Sequence, residues 1–153
     1  GARYAKRIAR AISEERKLKP IVTTVHLANV VKAAHPRWER HKHPATQTFQ
    51  AIRIRINNEL EDLKLGLEQS LDVLKIGGRL LVISFHSLED RIVKRFIRKQ
   101  AHAAVELKKL PVIPVEWRPR LKSLGRGIKA DAYAIKVNPR SRSAVLRIAE
   151  KIL

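Results

Sequence analysis

The stretch GGRLLVISFHSLEDRIVKRF, Gly77–Phe96, decides how this chain folds. Its paired glycines are a turn signal, and RLLVISF, Arg79–Phe85, is an apolar, β-branched run of strand length. A run without polar alternation predicts a strand covered on both faces, as in a parallel sheet. From Ser87 the period lengthens, with Ile92, Val93, Phe96 and Ile97 on one side and Arg91, Lys94, Arg95, Arg98 and Lys99 on the other. A strand that turns directly into an amphipathic helix is the repeating unit of α/β proteins.

The turn between them sets His86, Ser87, Glu89 and Asp90 almost side by side. Ser87 and Asp90, three residues apart, match the acidic form of a capping box, and Glu89 and Asp90 suit the positive end of the helix. A Ser–His–acid triad is disfavoured, because triad members converge from separate elements rather than from one turn. The capping role leaves His86 unexplained. It stands at the carboxyl end of a strand, where open α/β sheets bind their ligands, and is therefore a candidate substrate contact.

Working upstream, Phe49, Ile52, Ile56, Leu60, Leu63, Leu67, Leu71 and Leu74 recur at steps of three and four, predicting a long helix with a break near Asn57 and Asn58. HPRWERHKHP, His35–Pro44, reads as a basic loop around Trp38. Before it, Tyr4, Ile8, Ala11 and Ile12 form one helical stripe, with Lys6, Arg7 and Arg10 on the remaining surface. Leu27, Val30, Val31 and Ala34 form another, with Thr24 as its expected N-cap. Downstream, Pro111, Pro114, Pro119 and Trp117 predict an irregular segment over Leu107–Arg120. RLKSLGRGI then reads as a strand, DAYAIKV as a short helix, and SAVLRIAEKI as either helix or strand.

The 153 residues are the size of one ordinary domain, and 44% hydrophobic content suffices for its core. Lys and Arg number 33 against 14 Asp and Glu, a formal charge of +19. Such a molecule repels itself unless a polyanion neutralises it, and nucleic acid is the first expectation. No apolar run reaches the roughly 18 residues of a spanning helix, so a soluble, cytoplasmic protein without membrane contact is expected. Cysteine is absent, which excludes disulfides and thiolate chemistry, and His41 and His43 lack a nearby carboxylate, so no metal site is assigned. Candidate phosphate contacts are His43, Arg53 and Arg55 around the start of the long helix, and Arg140 and Arg142 in NPRSRS, where guanidinium and hydroxyl donors alternate. No glycine-rich turn follows a strand, so no cofactor-binding residue is assigned in this chain.

RYAKRIARAI, HPATQTFQAIRIRINNEL, GGRLLVISFHSLEDRIVKRF and NPRSRSAVLRIAEK together resemble the carboxyl half of one family, the bacterial small-subunit ribosomal RNA cytosine-N4 methyltransferases, RsmH or MraW. The resemblance implies part of a class I, Rossmann-like AdoMet-dependent methyltransferase sheet (49–153), with RLLVISF as its fifth strand and the last residues as its closing strands. It also implies that 1–48 is the second part of an inserted all-helical, RNA-recognising domain. The implied cofactor is S-adenosyl-L-methionine, held by an upstream half that this sequence lacks, and the implied substrate is the decoding region of the small ribosomal subunit. His86 and Ser87 would then line the target-base side of the pocket, with no catalytic residue assigned, and the chain alone would be inactive. One departure stands out: the stretch before NPRSRS is usually acidic in the family and here reads KADAYAIKV. The alternative is a basic RNA-binding or ribosome-associated module without catalysis.

Overall fold

The computed structural model describes residues 4–36, 43, 45–102 and 118–153. The expectations for Trp38, His41, Pro44 and the stretch 107–117 lie outside these residues. The described chain forms two compact units, Gly1–Asn58 and Glu59–Leu153. The sequence suggested a boundary at 48/49; the contacts divide one helix later.

The first unit holds three helices, α1 (Ala5–Leu18), α2 (Thr24–Ala34) and α3 (Thr46–Ile56). Ile8, Val31, Ala34 and Ala45 are its buried centre, and Tyr4, Ala11, Ile12, Leu27 and Phe49 pack around them. Both stripes expected of the first two helices are therefore the faces that bury. The cap of α2 differs by one residue from expectation. Thr23, in extended conformation, accepts from the His26 amide at 3.1 Å, whereas Thr24 already belongs to the helix.

The expected break falls where two asparagines stand. Asn58 adopts φ 53°, a left-handed conformation that asparagine tolerates better than most residues, and it ends the helical path after α3. The apolar stripe divides with it: Ile56 is exposed, while Leu67 and Leu71 of the next helix are buried.

That helix, α4 (Glu59–Val73), opens the second unit, followed by β1 (Arg79–Ser84), α5 (Ser87–Ala101), β2 (Leu121–Ser123), β3 (Ile128–Lys129), α6 (Ala132–Val137), a 3-10 turn (Pro139–Ser143) and β4 (Val145–Lys151). The stretch RLKSLGRGI gives two short strands rather than one, because Gly125 turns the chain with φ 85°. DAYAIKV is the expected short helix, capped by Asp131 Oδ1 on the Ala134 amide at 2.7 Å. The last segment is a strand.

The strand order is β1-β4-β2, with β3 also on β4, and every pairing is antiparallel. The fold is mixed helix and sheet as expected, but no parallel ladder occurs among the described residues. β1 and β2 nevertheless run in the same direction, because both oppose β4.

Nor is β1 covered on both faces. Leu80 and Val82 turn inward onto a core of Leu67, Leu71, Val93, Phe96, Ile97, Leu121 and Ala149, so α4 and α5 lie on one side of the sheet. Leu81, Ile83 and Phe85 alternate to the other side and are each more than half exposed. Across the ladder Leu81 faces Ile148 and Ile83 faces Leu146, so the uncovered face is apolar on two adjacent strands. The other edge of β1 makes no ladder among the described residues.

Two contacts tie the strand ends to the helices. Gly77, at φ 80°, donates to the Lys151 carbonyl at 2.7 Å, and a Cβ on Gly78 would meet the Lys75 carbonyl at 2.8 Å, so the turn before β1 requires both glycines. Lys151 Nζ in turn donates to the carbonyls of Leu71 and Leu74 at 2.6 and 2.8 Å, satisfying the carboxyl end of α4. No described helix is long and apolar enough to cross a membrane.

Candidate functional site

The register places several candidate residues at one end of the sheet. Ser84, the last residue of β1, lies opposite Val145, the first of β4. The turn His86–Ser87 therefore leaves the sheet at the end where the 3-10 turn bearing Arg140 and Arg142 enters it. The remaining candidates, His43, Arg53 and Arg55, belong to the first unit.

The cap of α5 is built differently from expectation. His86 is the N-cap: its Nδ1 accepts from the Glu89 amide at 3.3 Å, and Glu89 Oε2 accepts from the amides of His86 and Phe85 at 3.1 and 2.8 Å. The box is His86–Glu89, one residue ahead of the expected Ser87–Asp90. The imidazole Nδ1, one bond further from the backbone than a serine hydroxyl oxygen, accepts from the helix amide in the place of the usual hydroxyl. Ser87 is exposed, and its hydroxyl makes no hydrogen bond among the described residues.

Because Nδ1 accepts, a neutral His86 carries its proton on Nε2. That atom is buried and lies 3.1 Å from Glu89 Oε1, close enough to attract but not aligned as a hydrogen bond. Glu59, at the start of α4, brings a third donor atom, and the three lie within 4.8 Å of one another. Nδ1 and Glu89 Oε2 accept from backbone amides, and Glu59 comes close to this cap from the start of α4. Glu59 was not a candidate from sequence, and Glu89 was expected only to suit the positive end of the helix; the spacing of His86 and Glu89 carried the signal, under a residue type seldom expected at an N-cap.

Asp90 has a separate task. Arg147 of β4 donates to it twice, Nε at 2.7 Å and a terminal nitrogen at 3.1 Å, and both side chains are mostly buried. This forked pair locks the first turn of α5 onto the sheet. Ser84, the last residue of β1, is buried with its hydroxyl unpartnered among the described residues.

Arg140 and Arg142 are exposed on the 3-10 turn. Asn138 fixes that turn, its Oδ1 accepting from the Arg140 amide at 3.1 Å and its carbonyl from the Ser141 hydroxyl at 2.7 Å. In the first unit His43 Nδ1 accepts from the Ala45 amide at 3.2 Å, so it helps to start α3 while remaining exposed. Arg53 and Arg55 are exposed on the last turns of α3. An open groove of about 680 Å³ between α1 and α2 mixes Arg7 and Arg10 with Glu14 and Glu15, and so has no uniform charge.

At the β1–α5 turn the amides of Phe85, His86 and Glu89 are occupied by the cap.

The family model described as the MraW methylase family matches residues 1–152. The chain belongs to the MraW methylase family. The ribosomal RNA small subunit methyltransferase H of Legionella pneumophila strain Paris is 57% identical over 150 residues, covering 98% of this chain and 49% of the relative. That of strain Corby is 56% identical over the same length and shares. This member of the family thus spans about half the length of the curated relatives it matches.

Proposed function

We propose that this chain is the carboxyl half of a ribosomal RNA methyltransferase that uses S-adenosyl-L-methionine and modifies the N4 amine of a cytidine in the small subunit. The observation that carries the proposal is the 57% identity, over nearly the whole chain, to relatives named ribosomal RNA small subunit methyltransferase H. A charge of +19 suits a substrate lined with phosphate.

The sheet supports the finer assignment. A reversed β4 between two strands that run together, with α5 following the first of them, suits the closing part of a class I methyltransferase sheet. The free edge of β1 and the apolar face of Leu81, Ile83 and Phe85 are then where the upstream strands and their helices attach. The first unit, with His43, Arg53 and Arg55, would be part of the inserted RNA-recognising domain.

A cytosine amine is a poor nucleophile, because its lone pair is delocalised into the ring. The enzyme must hold it in line with the methyl donor and let it shed a proton. S-adenosyl-L-methionine supplies an electrophilic methyl group on sulfur, and the upstream half is expected to hold it. The part left to this chain is positioning. His86 builds the turn through its cap, Ser87 presents a free hydroxyl beside it, and Arg140 and Arg142 offer guanidinium groups to phosphate at the same end of the sheet. Without the other half the chain is expected to be inactive.

The test is methyl transfer from labelled S-adenosyl-L-methionine to purified small ribosomal subunits, by the full-length polypeptide and by this chain alone. N4-methylcytidine in the digested RNA, formed by the full-length protein only, is the expected result. Transfer to another atom would refute the cytidine assignment. RNA binding by both without transfer would favour the non-catalytic module.

A further inference from the structure

The outer face of α5 takes no part in the site described above. Arg91, Lys94, Arg95, Arg98 and Lys99 fall at i, i+3, i+4, i+7 and i+8, and all five are exposed. Among the described residues none of them pairs with a carboxylate. The helix has only two acids of its own, and both are engaged: Glu89 in the cap and Asp90 with Arg147. Like charges three and four residues apart weaken a helix, so nothing within the fold rewards the stripe. Arg98 and Lys99 do sit in the last turn, where cations suit the helix dipole. Arg91, near the first turn, sits where the dipole disfavours it.

We infer that this stripe is a docking surface for the phosphate backbone of RNA. Its rungs at 91, 95 and 99 are about 6 Å apart along the axis, with 94 and 98 beside them, which makes a straight cationic track about 12 Å long. A bilayer fits poorly: the apolar side of the helix, Val93, Phe96 and Ile97, is spent in the core and leaves nothing to insert. A protein partner fits poorly as well, since the stripe offers no aromatic or aliphatic anchor. A regularly charged, hydrated polymer needs neither. The choice of RNA over DNA rests on the proposed methyl-transfer function; the surface does not.

The test is equilibrium binding of this chain to a fluorescein-labelled RNA stem-loop across a salt series. The variant is R91Q/K94Q/R95Q, which leaves the last turn intact. A control, K122Q/K129Q/K136Q, removes the same charge from scattered exposed positions of the same unit. Three lost phosphate contacts should flatten the slope of log K against log salt by about 2 to 3, with the control changing it by less than about 1. Melting of the stripe variant should be unchanged or raised, which a structural role would not give. Should the triple variant fail to fold, R91Q and K94Q singly should each lower the slope by about 0.7 to 0.9. Equal losses in variant and control would reduce the effect to overall charge and overturn the inference. So would an unchanged RNA slope with weakened binding to phosphatidylserine–phosphatidylcholine vesicles. A slope loss without methyl transfer by the full-length protein would sink the proposed function and leave this surface standing.

Discussion

The two faces of β1 are made from neighbouring residues of one apolar run, yet they have different fates. Leu80 and Val82 pack onto α4 and α5, whereas Leu81, Ile83 and Phe85 are left more than half exposed. Composition does not separate them; the partners do. A helix pair exists on one side to exclude water, and none of the described residues supplies one on the other. Apolar area contributes to stability only when it leaves water, at about 25 cal/mol per Å², so the same side-chain types are worth kilocalories on one face and little on the other.

The largest break in that comparison comes from the covered side. Leu71 is fully buried between the helices and the sheet, and truncating it leaves a cavity as well as losing transfer energy. Leu71→Ala should cost about 3 kcal/mol, while Leu81→Thr on the open face should stay within about 0.5 kcal/mol, both read from urea unfolding followed by circular dichroism. A comparable loss at Leu81 would mean that the outer face is covered after all.

Next in size is the clamp that joins sheet to helix on the covered side. Arg147 stands opposite Val82 in the register and reaches Asp90 with two hydrogen bonds. Arg147→Ala should cost about 2 kcal/mol, because it leaves a mostly buried carboxylate without its donors. Asp90→Asn/Arg147→Met should lose less than the two single changes added together, the coupling expected of a pair in contact. Additive losses would show the two side chains acting through different neighbours.

The same comparison explains what was legible in the sequence. Period alone located the buried stripes of α1, α2 and α4, because helices report their covered face directly. Asn57 and Asn58 marked the break because a left-handed residue is rare and asparagine is suited to it. RLLVISF, by contrast, predicted cover on both faces, and the described residues cover one; an apolar run reports what a strand is made to touch, not what is present to touch it. The direction of β4 was illegible, since it depends on α6 and the 3-10 turn returning the chain between β1 and β2. At the site, Glu59 comes close to the α5 cap from a different helix, a proximity that no local pattern contains. Arg140 and Arg142 sit at the end of the sheet near His86 only through the Ser84–Val145 register, which sequence spacing does not contain.

The smallest expected effect tests the cap, where the sequence pattern pointed one residue too far along. If His86 and Glu89 satisfy the first amides of α5, Glu89→Ala should cost about 1 kcal/mol, since it strips the acceptor from Phe85 and His86 together. Ser87→Ala should change stability by less than about 0.5 kcal/mol, because its hydroxyl bonds to nothing in the fold. The order matters more than the sizes. A cap built on Ser87 would reverse it, whereas the observed cap leaves that hydroxyl free, exposed and beside the free apolar face of β1. In the full-length protein the two substitutions should then exchange rank where it counts. Ser87→Ala, silent in unfolding, should lower methyl transfer if the hydroxyl meets the target base, and an unchanged rate would remove Ser87 from the pocket while leaving the cap of α5 as it stands.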